Sequence, residues 1–184
     1  KDEFVCDCSD IDDIVVLRND GKFVVSKISD KVFVGKNILY ASVFRKKDDR
    51  MVYNVIYLDG NTGITMAKRF QVRGISRDKE YDFIQQHKKS KILYFSANPN
   101  GEAEILTFSL TPGCPAKNKV FDYDFSGLLI KNRSALGNRV TKYPVKKVQF
   151  KEAGYSTLSG LNLSLIHISE PTRRTPISYA VFCL

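Results

Sequence analysis

The 184-residue chain carries 29 Lys and Arg against 20 Asp and Glu, a formal charge of +9, with 43% hydrophobic and 11% aromatic residues. A chain of that length and composition buries a core without disulfides or metals, which excludes a disordered or fibrous protein. No apolar run could span a bilayer and no signal peptide is read, so a cytoplasmic protein without a membrane partner is expected, and the basic balance favours a polyanion.

Near the start, Cys6 and Cys8 form a C-x-C pair too tight for a zinc knuckle, with no second pair nearby. Asp10, Asp12 and Asp13 offer oxygen ligands to a hard cation, but no calcium-loop spacing follows, and a solvated strand edge is the plainer reading. No metal site is expected. Over residues 14–28 two β-branched runs flank Asp20-Gly21, the strongest local hairpin signal. A second hairpin is read over 53–70, turning at Asp59-Gly60, and residues 76–89 hold the one credible helical segment, opening at a Ser or Asp cap. A third hairpin over 91–110 turns at Asn100-Gly101, and a looser fourth over 128–148 turns at Gly137-Asn138. The turns recur in steps of 39, 41 and 36 residues. Such a period predicts an all-β, propeller-like stack of four-stranded blades of about 40 residues each.

The second strands end alike. Ser26-Lys27-Ile28, Lys68-Arg69-Phe70 and Thr141-Lys142-Tyr143 each set a cation beside an apolar residue, and strand alternation would turn the apolar side chain inward and the cation outward. The third repeat has Leu106-Thr107-Phe108 instead, and its acidic Glu102 and Glu104 make it a poor anion-binding face. Catalytic chemistry has little to use. The histidines are His87, in a solvated loop, and His167, and neither a GxxxxGK[ST] nor a GxGxxG phosphate loop is present. No catalytic residue is assigned. Most of the aromatics fall at alternating strand positions, which suits core packing better than base stacking.

Three blocks carry a family resemblance: IDDIVVLRNDGKFVVSKISDKVFVGKN, YNVIYLDGNTGITMAKRFQVRGISRDKEYD and FDYDFSGLLIKNRSALGNRVTKYPVKKV. Together they resemble the C-terminal domain of the A subunit of bacterial type IIA topoisomerases, the topoisomerase IV and gyrase family. The resemblance implies a β-pinwheel, in which propeller-like blades exchange strands, with a basic rim that bends double-stranded DNA. A rim that neutralises phosphates needs cations and no base readout. Lys27, Arg69 and Lys142 lead the candidates, joined by Lys36, Lys68, Arg73, Arg77, Arg133, Arg139, Lys146 and Lys147. The gyrase box Gln-Arg-Arg-Gly-Gly-Lys-Gly survives only as Val34-Gly35-Lys36-Asn37 and Arg133-x-x-x-Gly137, which tilts the resemblance toward topoisomerase IV, with its decatenation and relaxation. The same resemblance places the DNA-cleaving tyrosine, Mg2+ and ATP outside this domain. It also implies two partners, a catalytic core and the B subunit, in an A2B2 parent enzyme, and a bacterial, nucleoid-associated location.

The chain ends in LSLIHISEPTRRTPISYAVFCL. Read back into codons, LSLIHISEPTR matches a transposase adapter of a sequencing library and ISYAVFCL its flow-cell end. Residues 163–184 are therefore read as adapter-derived and non-native, leaving 1–162 as an incomplete pinwheel of about four blades. A rival reading is a propeller-type protein-interaction scaffold using the acidic third repeat and the Phe-rich strands.

Overall fold

The computed structural model describes residues 5–29 and 33–156, so the segment 163–184, read above as adapter-derived, lies outside the described residues. Among those described, the chain is all-β, with twelve strands, one 3₁₀ turn at Phe125–Gly127 and no α-helix. The strands are β1 (Asp13–Arg18), β2 (Lys22–Lys27), β3 (Ile38–Phe44), β4 (Val52–Leu58), β5 (Thr65–Gln71) and β6 (Glu80–Asp82). They continue with β7 (Lys91–Asn98), β8 (Glu102–Leu110), β9 (Val120–Asp124), β10 (Ile130–Asn132), β11 (Asn138–Thr141) and β12 (Val145–Ser156).

Three sheets follow from the pairing, each around a hairpin. Sheet A runs β3-β1-β2-β6, sheet B runs β7-β4-β5 with β10 and β11 one after the other along β5, and sheet C runs β12-β8-β9. In each sheet a later strand pairs back onto the hairpin's first strand, as β3 does on β1, β7 on β4 and β12 on β8. Strands are also exchanged between repeats. β6 leaves the second repeat to flank β2, and β10 and β11 leave the third to flank β5.

Local chemistry explains the turns. Gly21 holds a left-handed φ of 82° and donates to the Arg18 carbonyl at 3.0 Å, while the Asp20 carboxylate accepts from the Lys22 amide at 3.0 Å. A side chain at Gly21 would also meet Ile84 at 2.3 Å, so the turn and the exchanged segment need glycine for separate reasons. The Asp59 carboxylate organises the β4–β5 turn through the Asn61 amide at 3.1 Å and the Thr62 hydroxyl at 2.6 Å.

Three expectations are corrected. The third and fourth hairpins do not form: β7 belongs to sheet B and β8 to sheet C, so the Asn100-Gly101 turn carries the chain between sheets. β10 and β11 likewise both bind β5 rather than each other. The hairpin of sheet C is β8–β9, closed by the long loop 111–119, and the described residues hold three blades' worth of sheet, not four. The helix over 76–89 is absent. Gly74 and Asp78 adopt left-handed φ values of 59°, the Asp78 amide donates to the Val25 carbonyl at 2.8 Å, and Tyr81 stacks on Phe23 at 5.4 Å. Extended pairing with β2 gives that aromatic a buried partner, which a short helix on the surface would not.

The sheets stack face to face. Val15, Leu17, Phe23 and Val25 of sheet A meet Tyr53, Val55, Tyr57, Met66 and Phe70 of sheet B, with Phe83 between them. Each fully buried ring there contributes roughly 1.5–3 kcal/mol by leaving water. On the other side of sheet B, Ile56 and Ala67 pack with Ala103, Leu106, Phe108 and Phe125. Both faces of sheet B are therefore covered, and all seven residues of β5 are buried.

Candidate nucleic-acid interface

That layering overturns two candidates. Lys68 and Arg69 lie on β5 and are 2% and 0% exposed, so neither presents its charge at a surface. Consecutive strand residues face opposite sides, and in a strand covered on both sides there is no outward side left. Arg69 crosses to sheet C: Nε donates to Asn54 Oδ1 at 3.1 Å, and Nη2 donates to the carbonyls of Gly101 at 2.8 Å and Glu102 at 3.3 Å. Burial pulls its pKa down, and Glu104, Asp124 and Glu102 pull it back up. Lys68 points the other way, donating to the Phe83 carbonyl at 2.9 Å and to the Arg133 carbonyl, residues next to the exchanged strands β6 and β10. Burial, with Lys131 nearby, lowers its pKa to about 8. Both cations are structural pins between layers.

The remaining nine candidates divide by the end of the sheet they occupy. At the end away from the hairpin turns stand Lys27, Arg73, Arg77 and Arg133. Lys27 is opposite Asp13 in the β1–β2 ladder, and Asp13 takes Arg77 Nε at 2.8 Å. Arg73 pairs with Asp49 at 2.8 Å, and Arg133 donates to the Arg73 carbonyl while its guanidinium lies 4.4 Å from the centre of the Tyr81 ring. Carboxylates thus already answer two of the four cations.

At the hairpin ends stand Lys36, Arg139, Lys142, Lys146 and Lys147. Lys36 adjoins Asn37, whose carbonyl accepts from the Asn19 amide beside the β1–β2 turn at 2.9 Å. Arg139 is opposite Met66 near the β4–β5 turn, and Val145 opposite Leu110 near the β8–β9 loop. The segment 139–147 therefore runs from the hairpin end of sheet B to that of sheet C. The Pro144 carbonyl ties it down by accepting from the Thr111 amide at 2.9 Å and hydroxyl at 3.2 Å. Neighbouring Lys146 and Lys147 are both exposed because a register irregularity between Val145 and Lys147 interrupts the usual alternation. Lys142 Nζ lies 5.5 Å from the centre of the Tyr143 ring. None of these five cations has a carboxylate within salt-bridge distance among the described residues.

Sequence reasoning missed Lys117 and Lys119, both exposed in the β8–β9 loop beside this ridge. The turn cues drew attention to Asn100-Gly101, whereas the Pro, Gly and Lys content of TPGCPAKNK was the available signal. The two glutamates of the third repeat do not form an acidic face. Glu104 is buried, accepting from the Ser96 hydroxyl at 2.6 Å and the Tyr94 hydroxyl at 3.1 Å, and Glu102 caps the Asn100 amide at 3.0 Å, away from the hairpin end of its sheet. Asp10 and Asp12 accept from Ser9, Asp13 pairs with Arg77, and no group of three or more potential metal ligands gathers among the described residues.

In comparisons with known proteins, residues 1–153 match the family described as topoisomerase C-terminal domain, Bacteroidota. The A subunit of DNA topoisomerase 4 from Borreliella burgdorferi is 29% identical over 154 residues, which cover 81% of this chain and 22% of that relative. The chain thus spans about a fifth of the length of the curated relative it matches. No solved structure matches.

Proposed function

Because the chain belongs to the topoisomerase C-terminal domain family, as the C-terminal domain of a type IIA topoisomerase A subunit, we infer that it holds and bends duplex DNA for strand passage by a catalytic core. The observation that carries this reading is the ridge 139–147, where Arg139, Lys142, Lys146 and Lys147 stand exposed with no carboxylate partner among the described residues. Cations that no carboxylate answers release counterions from a phosphate backbone at little cost, and they read no sequence in doing so. Lys117 and Lys119 extend the ridge, and Lys36 marks the hairpin end of sheet A. Lys27, Arg73, Arg77 and Arg133 form a weaker, half-neutralised second contact. Bending 20–30 bp costs on the order of 1–6 kcal/mol, which several such contacts can offset.

In this reading the domain supplies no chemical step. The parent enzyme's cleavage tyrosine, Mg2+ and ATP act elsewhere in an A2B2 assembly, and the domain steers the segment that is passed, in decatenation or relaxation at the bacterial nucleoid. The test is fluorescence anisotropy on a long random-sequence duplex across a salt series. Binding independent of sequence, with a log–log salt slope of about −3 to −5, is the expected outcome. No binding by the folded chain at low salt would sink the reading and favour a protein-interaction scaffold.

A further inference from the structure

Lys68 borders a cleft of about 350 Å³, lined also by Asp82, Gln85 and Gln86 at and beyond the end of β6 and by Arg133 and Ser134 just after β10. Its Nζ is met by two carbonyls, those of Phe83 and Arg133, and by no carboxylate within salt-bridge distance among the described residues. An ammonium has three N–H donors, one more than these carbonyls answer, whereas a free amine has two N–H groups and a lone pair. Both hydrogens of the free amine are thus matched, and the lone pair takes the tetrahedral position that the carbonyls leave open. The charge around it favours an anion. Lys131 Nζ donates to the Leu136 carbonyl at 3.1 Å and to Asn138 Oδ1 at 2.6 Å, and Arg133 donates to the Arg73 carbonyl, all neutral acceptors. Two cations therefore stand by Lys68, while Asp82 is the one carboxylate lining the cleft among the described residues.

We propose that Lys68 is a reversible carbon dioxide site, its free amine adding to CO2 to form a carbamate held in this cleft. The amine lone pair forms the new N–C bond, one C–O π bond of CO2 opens onto its oxygen, and one amine proton leaves to solvent. No oxidant, reductant or leaving group is needed. The remaining N–H keeps one of the two carbonyls, and the new carboxylate gains donors in the Arg133 guanidinium, the Gln85 and Gln86 amides and the Ser134 hydroxyl. A buried cation thereby becomes an anion beside Lys131 and Arg133, which now attract it instead of repelling it. Burial selects the electrophile. At 2% exposure Lys68 admits a small, uncharged molecule, and an aldehyde, on forming an imine, would strip both hydrogens from the amine and leave two carbonyls without donors. The reactive form is also abundant. With the pKa lowered to about 8 by burial and by Lys131, about half of the molecules carry the free amine at pH 8, against under about 1% for an ordinary lysine.

This site does not depend on DNA binding. The full chain is equilibrated with isotope-labelled CO2 and bicarbonate at about pH 8, the carbamate is trapped as its ethyl ester with triethyloxonium ion, and the label is located by peptide mass spectrometry. The expected result is label on Lys68 at least about tenfold above that on Lys142, Lys146 or Lys147. Its occupancy should rise as pH increases toward 8 at constant dissolved CO2, because the free amine is the reacting form. Lys68→Met removes the label from that position. Arg133→Gln, which keeps the backbone carbonyl that Lys68 uses, should lower occupancy at least about threefold and serves as the comparison where Lys68→Met fails to fold. Label on Lys68 no greater than on the ridge lysines overturns the proposal, as does label that appears there only in urea. Occupancy unchanged in Arg133→Gln would overturn the placement of the carboxylate in the cleft.

Discussion

Two adjacent pairs of cations sit on strands of this molecule and do opposite things. Lys68 and Arg69 on β5 are buried and hold layers together; Lys146 and Lys147 on β12 are exposed with no carboxylate partner among the described residues. Charge and spacing are the same in both. The number of sheet faces covered differs, two for β5 in the central sheet, and the ladder irregularity at β12 lets both of its lysines reach solvent. A cation on a strand is thus a surface contact only when the layer order leaves it a surface.

The sharpest way to break this contrast is to remove a buried pin. Arg69→Ala leaves Asn54 and the Gly101 and Glu102 carbonyls without their donor, and it should destabilise the fold by about 3–5 kcal/mol in chemical denaturation. A loss under 1 kcal/mol would mean water replaces the guanidinium and the pin is dispensable. Next in size, Lys142→Glu/Lys146→Glu/Lys147→Glu should weaken duplex binding about 100-fold at low salt and flatten the salt slope by about 3, with an unchanged unfolding midpoint. Equal binding by this variant would move the DNA contact off the ridge.

Third comes a pH effect that separates a buried lysine from an exposed one. The folded pKa of Lys68, about 8, lies below its ordinary 10.5, so between those values the unfolded chain binds more protons than the folded one. Stability owed to this group therefore rises as pH increases from 8 toward 10, by on the order of 2 kcal/mol, and the rise should vanish in Lys68→Met. Comparing the two proteins isolates it from Tyr53 and Tyr57, whose burial raises their pKa values and acts in the opposite direction at higher pH. The smallest effect is expected from Arg73→Gln/Arg77→Gln. Both arginines already face carboxylates, so duplex affinity should fall less than about threefold. A loss as large as that of the lysine ridge would reverse the ranking of the two ends.

Much of the architecture was legible where a local cue determined a local partner. Asp20-Gly21 and Asp59-Gly60 marked true hairpins because the turn itself brings the strands together. Asn100-Gly101 carries the same cue, yet its strands diverge, β7 pairing with β4 and β8 with β9 and β12. Alternation marks a strand without saying which strand lies beside it. For the same reason the exchanged strand β6 reads as part of a helix from sequence alone: three residues in a charged loop carry no pattern until Phe23 is placed opposite Tyr81. Of the candidate site, the exposed cations of 139–147 were legible, while the burial of Lys68 and Arg69 depended on the stacking order of three sheets, which no window of sequence contains.

The exchanged strands also impose an order of events on the growing chain. Sheet A closes only when Asp82 has arrived, and sheet B only at Thr141, some 70 residues after β5 has ended. Each blade thus waits for its successor, contacts distant in sequence dominate, and slow, sequential assembly from the amino-terminal side is the kinetic consequence. During synthesis the edge of the newest blade is the one unpaired for longest, so that is where chaperones, or a mispaired neighbour, would find the nascent domain.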